Sequence, residues 1–104
     1  MPSTPIHPGE ILKDEMDALN LSSAELARAI NVPANRISQI VSGKRNISAD
    51  TALRLGWLFS TGPQFWLNLQ NAYELDQVNA SGDLDLTGIV PLIQPPSPSA
   101  GHQA

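Results

Sequence analysis

Apolar residues recur at helical spacing along most of this chain. Ile11, Leu12, Met16 and Leu19 fall on one face of a helix over residues 8–19, with Lys13, Asp14 and Asp17 on the other. Pro8 suits the first turn because its missing N–H has no intrahelical partner there, and Glu10 follows at the positive end of the helix dipole. Asn20 and Leu21 break the pattern. A second helix opens at Ser22, which forms a Ser-x-x-Glu capping box with Glu25, and carries Leu26, Ala27 and Ile30 on one face. Asn31 ends it, because asparagine tolerates the left-handed backbone that closes a helix. Pro33 starts a third helix, which runs to Ser42 and stops at Gly43.

Ser48 caps a fourth helix over residues 49–59, with Asp50 near its positive end. Ala52, Leu53, Leu55, Trp57, Leu58 and Phe59 make it apolar nearly all round, which predicts the central core helix. Thr61-Gly62-Pro63 is a turn, and Pro63 opens a fifth helix to about residue 78. Phe65, Trp66, Leu69, Ala72 and Tyr73 form its expected core face. Leu67, Leu75 and Val78 form a second patch opposite. A two-faced apolar helix near the end of a small domain predicts burial against a second subunit, a partner or the chain's own tail, and the dimer interface is favoured.

From Ser81 the composition changes. Asp83-Leu84-Asp85-Leu86 alternates like a short strand, and Ile89-Val90-Pro91-Leu92-Ile93 is an apolar run too rich to float free, expected to pack on the fifth helix or across a dimer. The proline- and serine-rich stretch from residue 94 reads as a disordered tail, dispensable for folding and DNA binding. Residues 1–80 are therefore expected to form one domain, with residues 81–104 a C-terminal extension.

The chain has 104 residues and no cysteine, which removes disulfides and thiolate chemistry. The first ten residues lack the basic and apolar segments of a signal peptide, and no apolar run approaches a membrane span, so a cytoplasmic protein is expected. Net charge is -4, which argues against nucleic acid until its distribution is read. Residues 20–56 hold Arg28, Arg36, Lys44, Arg45 and Arg54 against Glu25 and Asp50. The remainder holds Lys13 alone against Glu10, Asp14, Glu15, Asp17, Glu74, Asp76, Asp83 and Asp85. A basic middle between acidic ends is a local electrostatic footprint, although six basic residues are few.

That middle contains two short helices joined by Ile30-Asn31-Val32-Pro33, a helix-turn-helix spanning about residues 23–42. Ala27 is small where the helices cross, and Leu26, Ile30, Val32, Ile37 and Ile40 supply their shared core. At 100° per residue, Ile37, Ile40 and Val41 point inward while Asn35, Arg36, Ser38, Gln39 and Ser42 point outward. Arg can grip guanine, Asn or Gln adenine, and Ser either, so Asn35, Arg36, Ser38 and Gln39 are the candidate base readers. Lys44 and Arg45 follow the glycine stop, placed for the flanking phosphates, and Ser22 and Ser23 could meet a phosphate at the positive end of the second helix. Spacing alone does not separate this from a bundle with a polar outer face. Ala27, the turn, the local charge and the outward set together favour DNA.

Residues LARAINVPANRISQIVSGKR resemble the Xre/Cro-type helix-turn-helix family of bacterial and phage repressors. HPGEIL, NISADTALRLGWLF and GPQFWLNLQNAYEL resemble, more narrowly, the HigA family of antitoxins, and the likeness covers about residues 7–78. Asn31 replaces the usual turn glycine, and the proline-rich end lies outside the family pattern. The resemblance implies an all-α, five-helix, lambda-repressor-like domain acting as a dimeric repressor. It would bind its own double-stranded operator and neutralise a HigB-type, mRNA-cleaving toxin. Two other readings stand beside it: a stand-alone repressor with no toxin, and a protein-interaction module that has lost DNA binding. Catalysis, cofactors, metals and small-molecule substrates are not expected. His7 and His102 belong to no metal-spaced set, phosphate-cradling glycine loops are absent, and the paired acids read as solvated faces.

Overall fold

A computed structural model describes residues 4–93. Five helices follow one another: α1 (Pro8–Ala18), α2 (Ser23–Ala29), α3 (Ala34–Val41), α4 (Ala49–Leu58) and α5 (Pro63–Ser81). Among the described residues there is no strand, and no helix is long and apolar enough to cross a membrane.

Local chemistry sets the boundaries. His7 caps α1: its Nδ1 accepts from Gly9 N–H at 2.9 Å, and its own N–H donates to Glu10 at 3.2 Å. Ser22 and Glu25 form the expected reciprocal box on α2, at 3.1 and 2.9 Å, and Ser48 Oγ accepts from Thr51 N–H at the start of α4. Three helices end in one way. Asn20, Asn31 and Gly43 take positive φ of 55°, 59° and 80°. Behind each, the next N–H reaches back to a carbonyl of the last turn: Leu21 to Met16, Val32 to Ala27 and Lys44 to Gln39. These closures satisfy carbonyls the helix would otherwise leave open.

Packing follows the inward stripes. α2 lies on α3, α4 lies along α5, and α1 bridges α3 and α5. Leu12, Met16, Leu26, Ala27, Ile30, Ile37, Ile40, Ile47, Ala52, Leu55 and Trp66 form one core. The indole N–H of Trp66 is satisfied by Thr61 Oγ1 at 3.0 Å. Gly9 is required where α1 meets α3, because a Cβ there would overlap the Ile40 carbonyl; Gly56 is likewise pressed against Gly62 where α4 turns into α5.

Five expectations are corrected. α4 is not apolar-buried all round: Thr51, Ala52, Leu55 and Gly56 are buried, whereas Leu53 and Trp57 face outward, 59% and 90% exposed. The core side of α5 is Trp66, Leu69, Gln70 and Tyr73, with Ala72 and Phe65 exposed. Leu67 packs against the core, which leaves Leu75 and Val78 as the outer patch. Residues 83–86 form no strand. Asp85 Oδ1 instead accepts from the backbone N–H and hydroxyl of Thr87, an alternative to ladder pairing that short Asp side chains offer. Leu84, Leu86, Ile89, Val90, Leu92 and Ile93 are all exposed, so the run does not pack on α5. The tail from residue 94 lies outside the described residues.

Candidate nucleic-acid interface

α3 presents the surface read from the sequence. Ile37 and Ile40 are fully buried, and each is worth roughly 1.5–3 kcal/mol of transfer free energy, so the rotation of α3 is fixed by packing. That rotation leaves Asn35, Ser38 and Ser42 exposed and Arg36 and Gln39 half-buried. α3 carries no carboxylate. The Ser38 and Ser42 hydroxyls donate to the carbonyls of Asn35 and Gln39, at 3.2 and 3.1 Å, which leaves their oxygens free to accept.

Two of the outward side chains are already held. Arg36 reaches Asp50 at 3.5 Å, and Asp50 also accepts from Arg54 Nε at 2.7 Å. The Arg54 hydrogen bond, with the charge of Arg36 beside it, holds the Asp50 carboxyl below its ordinary value of 3.8. Arg54 in turn donates to the Ile30 carbonyl at 2.8 Å, tying α4 to the end of α2. Gln39 Oε1 accepts from Arg45 Nε at 2.9 Å. The sequence placed Arg45 with the phosphates; the structure joins it to α3. Asp50 and Arg54 were read only as a capping acid and a local charge, since nothing in their spacing signals Ile30 or Arg36.

The basic segment after α3 is anchored from below. Ile47 is buried, and its N–H donates to Oε1 of buried Gln70 at 2.8 Å. Gln70 was missed as a core residue because it is polar, although Trp66, Gln70 and Tyr73 repeat at i, i+4 and i+7. Lys44 and Arg45 are thus exposed on a loop fixed at both ends, by the α3 closure and by Gln70. Ser22 lies at the start of α2, where its backbone N–H is taken by Glu25 and its hydroxyl hydrogen remains to donate; Ser23 is half-buried beside it. Leu75 and Val78 are exposed on α5 and belong to a different surface, while Leu67 is packed against the core.

A rigid helix pair, a carboxylate-free reading face and a basic loop beside it are the parts a major-groove reader needs. The helix-turn-helix family model HTH_3 matches residues 12–56. A HigA-family antidote protein from Coxiella burnetii superposes with a TM-score of 0.79 at 43% identity, covering 86% of this chain and 98% of that one. The chain belongs to the HigA family of Xre-type helix-turn-helix proteins. A second HigA structure, the Pseudomonas aeruginosa antitoxin with the higBA promoter, matches with a TM-score of 0.77 at 44% identity over 86% of this chain and 99% of that one. Virulence-associated protein I of Dichelobacter nodosus is 51% identical over 71 residues, 67% of this chain; the chain spans 66% of that relative's length. The HigA likeness extends through α5 and into residues beyond the helix-turn-helix itself.

Proposed function

We propose that this protein is the antitoxin and autorepressor of a toxin–antitoxin pair, binding its own operator as a dimer through α3 and neutralising a HigB-type, mRNA-cleaving toxin. One observation carries the DNA half: Asn35, Arg36, Ser38 and Gln39 stand together on a packed, carboxylate-free helix. In the operator complex Arg36 exchanges Asp50 for a guanine edge, and Gln39 and Asn35 meet adenine edges. Ser38 contacts either base. Lys44 and Arg45 neutralise flanking phosphates, with the Ser22 and Ser23 hydroxyls donating to the backbone at the start of α2. Dimerisation follows from base readout, because one short helix per chain reads too few base pairs to be selective.

The toxin half is supported by family membership and by the other end of the molecule. Leu75 and Val78 are exposed beside Glu74 and Asp76, followed by the exposed apolar run and Asp83 and Asp85, and no Lys or Arg occurs after Arg54. An acidic, apolar surface suits a basic, RNA-binding partner.

The test is operator retardation by the wild type and by Arg36→Ala and Gln39→Ala, together with co-expression beside the product of the adjoining reading frame. The proposal expects both variants to lose discrimination by roughly 1–3 kcal/mol each, and expects the wild type to relieve growth arrest by the neighbouring product. Full specificity in both variants refutes the DNA reading. Operator binding without growth rescue makes the protein a stand-alone repressor.

A further inference from the structure

His7 is only 7% exposed, although it is polar and stands at the very start of α1. Three elements close around it. Its Nδ1 accepts from Gly9 N–H of α1 at 2.9 Å, and Tyr73 of α5 packs edge-on with ring centroids 4.8 Å apart. The basic loop after α3 covers the remaining side. A Cβ built on Gly43 would stand 4.0 Å from His7 Cγ, which is ordinary van der Waals contact. The Arg45 backbone acts on the imidazole as an acceptor does, favouring its protonated form. Arg45 in turn holds Gln39 Oε1 at 2.9 Å. A line of contacts therefore runs from His7 through Arg45 to an amide on the proposed reading face. We propose that His7 is a positioning residue for DNA binding: its neutral ring props the loop that carries Lys44 and Arg45, and operator affinity is lost when the ring takes up a proton. This rests on the reading above that α3 and this loop meet the operator, and it adds a residue from the start of α1 to that site.

The chemistry of the ring sets the sign of the effect. Nδ1 accepts a hydrogen bond, so the neutral ring carries its proton on Nε2, which is buried with no hydrogen-bond partner. A second proton must go to Nδ1, where it meets the Gly9 N–H, and two donors cannot share that contact. The imidazolium has to leave its seat, and the loop loses the ring beneath it. The groups that face His7 are Glu10 of α1, the Tyr73 ring of α5 and the Arg45 backbone, and Glu10 is the one charge acting on it. Burial outweighs Glu10 and Arg45, so the ring is held neutral near pH 7. A histidine acting only as a charge near phosphates would strengthen binding on protonation. Here the opposite is expected.

Operator retardation by the full chain at pH 7 and 5.5, with His7→Asn and His7→Gln beside the wild type, tests this. An asparagine keeps the capping acceptor but stops short of the loop. A glutamine gives up the cap and reaches far enough to donate from the position of Nε2. The two variants should therefore separate stability from binding. His7→Asn should melt near the wild type yet bind the operator at pH 7 about as weakly as the wild type does at pH 5.5. His7→Gln should melt lower and bind more tightly than His7→Asn. Wild-type affinity should fall with pH by at most about tenfold per unit, the limit for one linked proton, and neither variant should share that fall. His102 is present in all three proteins, so the difference belongs to His7. In the free wild type, the Lys44 and Arg45 amide resonances should titrate with the midpoint of the His7 ring. The proposal is overturned if the affinities of the variants follow their melting temperatures, if the wild type and His7→Asn share one pH dependence, or if the two amides do not follow His7. A wild type that binds no operator at either pH contradicts the repressor reading instead, and the amide titration still decides whether His7 controls the loop.

Discussion

Arg45 Nε donates to Gln39 Oε1 at 2.9 Å, so a residue beyond the end of α3 holds the amide on the proposed reading face. A pure phosphate contact would weaken all DNA equally when removed. Arg45→Ala is instead expected to lower affinity generally and to lose discrimination at the base pair read by Gln39. In a double-mutant cycle with Gln39→Ala, the coupling should be about 0.5–3 kcal/mol. Lys44→Ala should weaken binding to every sequence and reduce the salt slope by about 1. Competition titrations against single-base operator variants at several salt concentrations separate the two patterns.

Gly9 sits where the start of α1 touches the end of α3, with no room for a methyl group against the Ile40 carbonyl. Gly9→Ala must push the helices apart, at a cost of about 1–3 kcal/mol, or roughly 4–8 °C of melting temperature per kcal/mol for a domain of this size. Gly88 has nothing within 4 Å, and Gly88→Ala should leave the melt unchanged.

Much of this was legible from near neighbours. The Ser22–Glu25 box, the left-handed Asn31 and the Gly43 stop each depend on residues within one helical turn, and the inward set Ile37 and Ile40 follows from one helix's own period. What was not legible lies between elements. Trp57 shares an apolar helix with Leu55, and only the placement of α5 decides which of the two is covered. Gln70 looks like a surface residue until Ile47 N–H is brought to it. The apolar run from Leu84 to Ile93 satisfies every local criterion for burial, yet no element of the protomer lies against it.

Burial holds the His7 imidazole below its ordinary pKa of 6.5, outweighing the nearby Glu10 carboxylate and the Arg45 backbone, which pull upward. Its Nε2 is buried without a hydrogen-bond partner, and Tyr73 packs edge-on against the ring. The folded state thus binds the proton less well than the unfolded chain. Stability is complete above about pH 6.5 and is lost as pH falls below it, by at most about 1.4 kcal/mol per pH unit for one proton. Glu25, Asp50 and Asp85, whose pKa values are also lowered, contribute only at lower pH, below the ordinary carboxylate values of 4.5 and 3.8. His7→Asn keeps a capping side chain but no titration, so its melting temperature should change less than the wild type's between pH 7 and 5.5. Equal slopes would contradict the assignment.

Because Leu84, Leu86, Ile89, Val90, Leu92 and Ile93 are exposed, truncation after Gly82 should leave the melting temperature and operator affinity of the protein unchanged. If the proposed toxin docks on this run, the truncation should reduce growth rescue in a co-expression assay with the product of the adjoining reading frame. A drop in melting temperature would mean that the run is packed in the free protein after all.

If α3 of a dimer reads base edges, the DNA sequence the protein selects must carry its imprint. Selection of binding sites from a random DNA library by the full-length protein measures this directly. An inverted repeat whose half-sites are about 10 bp apart, or a multiple of that, is expected to be enriched, with the preferred bases altered in the Arg36→Ala and Gln39→Ala proteins. Enrichment of no sequence, or of the same sequence by wild type and both variants, would contradict it.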